Sequence, residues 1–336
     1  MEKKIITCAS YGGTGSSAIT DLLKEFNNIN SLGDFEFAIA HEVDGISDLQ
    51  HYIVDDNHRL KCDEGIYRFS KLVKRLTPEY SNYIKDFEKI SNEYINSLVD
   101  IQWNGFWHQH LWRNNKFYRF LVYGLPGIIK WKFRKLFNSR SDYEYTPKHK
   151  RSKMVYSIPN DDFYCKTQKY TSDIINNIFE DKEYEYYALD QLVPVSNVKR
   201  YSRYFKNIKI IIVDRDPRDL YLLNKLYWNE GWIPTQNVET YVEWFNAIRS
   251  HTKFYDENTE NSLRIQFEDL IYNYEDTIEK IIEFIGINKD THIEKLKYFN
   301  PERSLKNTCL WKKNTIYNDE IEYIEKQLSE YCYRKK

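Results

Sequence analysis

Short apolar runs rich in β-branched residues alternate along the chain with stretches whose apolar positions recur three and four residues apart. That alternation predicts parallel strands joined by helices, an α/β architecture. The strands are expected at 4–9, 29–35, 184–189, 208–213 and 262–266, with helices beginning near Ser16, Pro217 and Tyr274. Pro217 suits a first helical turn, where its missing N–H has no intrahelical partner to lose. The turns that follow the strands should gather at one edge of the sheet, where open α/β sheets hold their ligands.

Between about 55 and 157 the pattern changes to helical stretches crowded with aromatics, and no strand is predicted there. We read this segment as a largely helical insertion in a single domain spanning 1–336. From 113 to 153 there are twelve Lys/Arg against Asp142 and Glu144, a surplus of +10 in a chain whose formal total is −1. Bulky apolar groups interleave with those cations from Phe117 to Trp131. Two readings stand side by side: a buried helical pair with snorkelling lysines, or a patch for an anionic acceptor or a membrane surface. Trp103, Trp107 and Trp112 offer faces on which sugars could stack, or they are core.

With 336 residues, 41% of them hydrophobic, the chain can build a substantial core. Near-neutral charge argues against a nucleic-acid-binding protein. Five widely spaced cysteines without a C-x-x-C pair suggest neither a disulfide framework nor a zinc site, so no metal is expected and a reducing cytoplasm fits. The start is too short in apolar residues for a secretory leader, and no run is long enough to span a bilayer.

The first predicted strand runs into Tyr11-Gly12-Gly13-Thr14-Gly15-Ser16-Ser17 and then an amphipathic helix. Glycines let the backbone curl until N–H groups converge, and the helix start adds more, so the segment is an anion trap in which Ser16 and Ser17 offer hydroxyls. A Walker loop would carry Lys where Ser16 stands, which disfavours ordinary ATP or GTP chemistry. Further on, the apolar strand 208–213 ends in Asp214-Arg215-Asp216-Pro217-Arg218-Asp219. A guanidinium at a strand end presents two parallel donors to a phosphate. The alternative is a solvated ion-pair network, which a strand this apolar disfavours.

Thr14-Gly15-Ser16-Ser17 resembles the 5′-phosphosulfate loop of sulfotransferases that use 3′-phosphoadenosine 5′-phosphosulfate (PAPS). Gly13 departs from that family, which has a Lys or Arg there to neutralise the bridging oxygen as the S–O bond breaks. The strand ending in Arg215 resembles the family's 3′-phosphate reader, which implies that role for Arg215. The family's polar residue eight places on falls on Leu223, so Asn224 is a candidate substitute. Glu268-Asp269-Leu270 and the run from Asn300 to Lys312 resemble two later family segments, and the second implies Arg303, Trp311 and Lys312 as nucleotide contacts. The resemblance covers 5–312 except the insertion. It implies a P-loop NTPase-like three-layer fold and a PAPS-dependent sulfotransferase, with Gly12, Gly13, Thr14, Gly15, Ser16 and Ser17 cradling the cosubstrate.

Sulfuryl transfer needs in-line positioning, charge neutralisation and a base for the acceptor proton. The base should follow the second strand, expected beside the loop, and Glu36 and His41 are the candidates, with Glu36 placed first because it lies nearer the strand end; each also has a structural reading. Lys166 is a candidate for the missing loop cation. The acceptor implied is a hydroxyl or amino group, by analogy of a carbohydrate or glycolipid. Two other readings are kept: a nucleotide-binding protein of this fold without transferase activity, and a P-loop kinase.

Overall fold

The computed structural model describes residues 3–133, 151–160, 162–179, 184–255 and 260–334. Its strands are β1 Lys4–Ser10, β2 Ile29–Glu36, β3 Ile101–Gly105, β4 Ser152–Tyr156, β5 Tyr186–Asp190, β6 Ile208–Asp214 and β7 Ser262–Gln266. Five of them form a parallel sheet in the order β2-β5-β1-β6-β7, while β3 and β4 pair separately as an antiparallel ribbon. Each expected strand is present within two residues of its sequence-derived bounds.

The inner strands are apolar on both faces, as parallel strands covered by helices must be. In β6, Ile208, Ile210 and Ile212 join one buried cluster, and Ile211 and Val213 join the other. The helices Ser16–Leu23 and Tyr274–Ile285 supply Ile19, Leu22, Leu23, Ile278, Ile281 and Ile282 to the second cluster. The helices Arg59–Tyr80, Phe87–Leu98 and Asp162–Ile178 supply Phe69, Leu72, Phe87, Tyr94, Phe163 and Ile174 to the first. The result is the expected three-layer arrangement, and helices of the 55–157 segment form part of one outer layer.

One expectation is corrected. That segment contains strands β3 and β4; β3 is exposed from Ile101 to Asn104 and β4 buries the adjacent Met154 and Val155, so no inward-outward alternation marked them. The strand β5 stands between β2 and β1 and pairs with both. The strand β2 still reaches the ligand edge. An irregularity between Ser31 and Glu36, where Gly33 has φ +85°, resets its register and places Glu36 opposite Asp190.

Candidate active site

Residues 11–15 leave β1 and enter the helix Ser16–Leu23. Gly12, Gly13 and Gly15 have φ of +83°, +68° and +109°, a region that side-chain-bearing residues rarely adopt. Thr14 is fully buried, donating through Oγ1 to the Val213 carbonyl at 2.7 Å and accepting from the Tyr11 N–H at 3.2 Å. Its hydroxyl is therefore spent on pinning the loop to β6, which leaves the hydroxyls of Ser16 and Ser17 for the cradle. The Ser16 hydroxyl donates to Asp190 Oδ2 at 3.0 Å, and Ser17 is exposed.

A second segment packs onto the glycines. The helix Pro217–Leu223 passes into a π-helical turn, Asn224–Trp228. Asn224, 1% exposed, donates to the carbonyls of Glu230 and Ile233 and to Thr235 Oγ1, and accepts from the Glu230 N–H at 2.8 Å. These bonds fold the chain back so that Trp228 and Trp232 lie over the loop. A Cβ built on Gly12 would stand 2.2 Å from the Trp232 ring, and one on Gly13 would stand 2.7 Å from Trp228. Asn224 is thus a latch and not a nucleotide contact, because its amide is saturated by its own chain.

Between these segments lies a cleft of about 600 Å³, lined by Gly12, Gly13, Glu36, His41, Gln191 and Glu230, with Trp228, Trp232 and Ile233 forming its apolar wall. The structure brings the loop and both candidate bases to this one cleft. His41 Nε2 lies 2.7 Å from the Gln191 carbonyl. A carbonyl accepts, so Nε2 carries the proton and Nδ1 the lone pair. Burial lowers the His41 pKa from the ordinary 6.5, partly countered by that hydrogen bond, which favours neutral imidazole. Lys166, on the helix Asp162–Ile178, does not line the cleft.

Beneath the loop lies a buried charge cluster. Arg215, 4% exposed, donates from one terminal nitrogen to the Gly13 carbonyl at 3.1 Å and from the other to the Asn307 carbonyl at 2.7 Å. Its guanidinium lies 4.3 Å from the Phe267 ring centre, and its buried Nε has no hydrogen-bond partner among the described residues. Burial pulls the Arg215 pKa down and pushes Glu268 up to about 8 and Asp219 up to about 6. The Asp219 carboxylate receives the N–H groups of Cys309 and Leu310, and so holds the late segment against the helix that follows β6.

Arg218 is bound by two nitrogens to Asp216 and stacks 3.8 Å over Trp311. One face of Trp311 is therefore already covered. Arg303 and Lys312 are exposed, and neither they nor Trp311 line the cleft. What the sequence reading missed is the pair Trp228 and Trp232. The available signal was the run Tyr227-Trp228-Asn229-Glu230-Gly231-Trp232, dense in aromatics directly after the helix of the Arg215 strand.

Residues 125–291 match a family model described as "Sulfotransferase family". The chain belongs to the sulfotransferase family. The matched region of this sulfotransferase contains β5, β6 and β7 and the Arg215 cluster, and it leaves out the glycine loop. Solved structures similar to it include the sulfotransferase domain from the Synechococcus PCC 7002 olefin synthase, at 11% identity and a TM-score of 0.42, covering 99% of this chain and 96% of that one. The sulfotransferase domain from the curacin biosynthetic pathway gives 12% and 0.38, with 98% of each chain covered. A retinol dehydratase in complex with androsterone and the inactive cofactor PAP gives 13% and 0.36, covering 99% of this chain and 82% of that one. No curated protein sequence matches.

The sulfotransferase family uses PAPS. Two features of this sulfotransferase fit such a cosubstrate: a glycine-rich cradle at a strand end, and a buried guanidinium nitrogen left without a partner beneath it. Among the described residues no cluster of His, Cys, Asp or Glu that could hold a metal is present, and no helix is long and apolar enough to cross a membrane.

Proposed function

We propose that this sulfotransferase moves the sulfuryl group of PAPS to a hydroxyl or amino group of a carbohydrate or glycolipid acceptor in the cytoplasm, with His41 as the general base. The observation that carries the reading is the meeting of the glycine loop, Glu36 and His41 in one cleft. Gly12 to Ser17 receive the 5′-phosphosulfate, with Ser16 held in place by Asp190. Arg215 brings positive charge to residue 13 from below, where the loop itself has glycine. A neutral imidazole held at Nε2 can take the acceptor proton at Nδ1. Glu36 lies in the same cleft and is the alternative base. The half-exposed Trp232 ring beside Glu230 offers an apolar face next to a hydrogen-bonding carboxylate, a combination suited to a sugar ring. The free cysteines suit a reducing compartment.

The test is calorimetric titration with 3′-phosphoadenosine 5′-phosphate and with AMP, followed by transfer from labelled PAPS to a panel of glycans and glycolipids. Tighter binding of the bisphosphate with labelled product supports the proposal. Equal affinity for the two nucleotides overturns it, and tight binding with no product from any acceptor favours a non-transferring nucleotide binder.

A further inference from the structure

Residues 116–133 form one helical rod: an α-turn Lys116–Arg119, a π-helical turn Phe120–Gly124, and an α-helix Leu125–Phe133. No residue of the first two segments is buried, yet their sequence is Lys-Phe-Tyr-Arg followed by Phe-Leu-Val-Tyr-Gly. Trp112 just before the rod is 74% exposed and Phe117 is 71% exposed; Phe120, Tyr123, Ile128 and Ile129 stand out as well. Single exposed apolar residues are ordinary, but a contiguous set on one element marks an interaction surface. The core gains nothing from these side chains.

Cations stud the same surface. Lys116, Arg119 and Lys132 interleave with the apolar groups, and no acid occurs from 113 to 141. The Arg119 guanidinium lies 4.3 Å over the Trp112 ring. A groove of about 430 Å³ runs between Trp112, Phe120 and Tyr123, walled by Lys116 and Arg119. Eighteen residues at about 1.5 Å rise give a rod of roughly 27 Å. Its embedded charges forbid crossing a bilayer but suit lying along one, with apolar groups at the acyl boundary and cations among phosphates.

Charge also selects among occupants. A second copy of the chain would bring two acid-free basic faces together, whereas an anionic lipid surface complements both the cations and the apolar groups. The turn His108–Arg113 that leads into the rod is anchored as well. Arg113 bonds to Asp63 at 2.9 Å and Glu64 at 2.7 Å on the helix Arg59–Tyr80; Arg68 of that helix bonds to Glu64 and lies 3.5 Å from Asp44, three residues past His41. An ion-pair chain thus ties the turn that leads into the rod to the loop that walls the cleft.

We propose that Trp112 and the rod 116–133 form a docking surface for an anionic lipid bilayer. The experiment is co-sedimentation of the full chain with phosphatidylcholine vesicles, with and without about 30% phosphatidylserine, across a range of salt. The wild-type chain binds the anionic vesicles and releases them as salt rises. Phe120→Glu with Ile129→Glu, and separately Lys116→Glu with Arg119→Glu, lower the partition coefficient by about tenfold or more. Ile316→Glu, at an exposed site away from the rod, binds as wild type. All variants keep wild-type nucleotide affinity, so this result is independent of the proposed catalytic reading. Equal sedimentation with neutral and anionic vesicles, or undiminished binding by both double variants, overturns the proposal. So does lipid-free self-association that Phe120→Glu abolishes, which would make the rod a contact between copies.

Discussion

The Trp228 ring fills the space that a side chain at Gly13 would enter, with 2.7 Å between a Cβ built there and the nearest ring carbon. Position 13 is where the sulfotransferase resemblance places a Lys or Arg. Restoring the cation alone should therefore fail. Gly13→Lys combines a left-handed backbone with overpacking and should cost about 2 to 4 kcal/mol in chemical denaturation. Adding Trp228→Ala should recover part of that loss, giving a coupling in the double-mutant cycle. Wild-type stability in Gly13→Lys would show that the ring does not hold this place.

Gly15 makes a related but separate prediction. At φ +109°, with a Cβ 2.5 Å from the Phe267 ring, Gly15→Val should destabilise by about 3 kcal/mol or more and abolish nucleotide binding. Ser81→Val, at an exposed helix end, should stay within about 0.5 kcal/mol of wild type and bind normally. Thermal melts with nucleotide titrations check both, and an intact Gly15 variant would make the loop a plain turn.

Arg215 joins Gly13 to Asn307, so Arg215→Ala should weaken AMP binding through the loop as well as any direct phosphate contact. The loss for 3′-phosphoadenosine 5′-phosphate should exceed the loss for AMP by about 1.5 to 3 kcal/mol, the worth of a hydrogen bond to a charged group. Paired titrations give this difference directly. Equal losses would limit Arg215 to the clamp.

For the base, His41→Ala is expected to lower turnover by about 10² to 10⁴ with nucleotide affinity kept. Glu36→Gln is the matched comparison, and exchanged phenotypes would exchange the roles. His41 also predicts a pH effect on stability. Its folded pKa lies below the ordinary 6.5, so below that pH the unfolded chain takes up a proton that the folded chain refuses. This contribution is present above pH 6.5 and is lost as pH falls toward the folded pKa; His41→Gln should flatten that acid limb in denaturation curves.

Glu268 has the opposite sign. Its folded pKa is raised from 4.5 to about 8, so its contribution is full below pH 4.5 and is lost as pH rises through about 8. Glu268→Gln keeps an oxygen for the Asp216 N–H and cannot ionise. Stability of that variant should fall less than wild type between pH 5 and 8, and parallel curves would place the titration elsewhere.

The sheet was legible because its strands are continuous β-branched runs, and the loop because three glycines follow the first of them. Contacts between segments far apart in sequence were not legible. Nothing at Asn224 announces that its amide closes on residues 230–235, and nothing at Thr14 announces the Val213 carbonyl. Trp311 and Arg218 each read as a ligand group by type, but they face one another. The strands β3 and β4 escaped notice because an exposed β3 and a β4 that buries two adjacent residues supply no alternation to read.

The placement of β1 also bears on how the chain is made. It is the central strand, and both its partners, β5 and β6, lie more than half the chain length downstream. A nascent chain must therefore carry the apolar edge Ile5-Ile6-Thr7-Cys8-Ala9 unpaired until Tyr186 and then Ile208 have been synthesised. Such long-range parallel pairing is slow and leaves a strand open to wrong partners. The glycine loop waits longer still, since the Asn307 carbonyl that holds the other arm of Arg215 is synthesised only after β6 and β7.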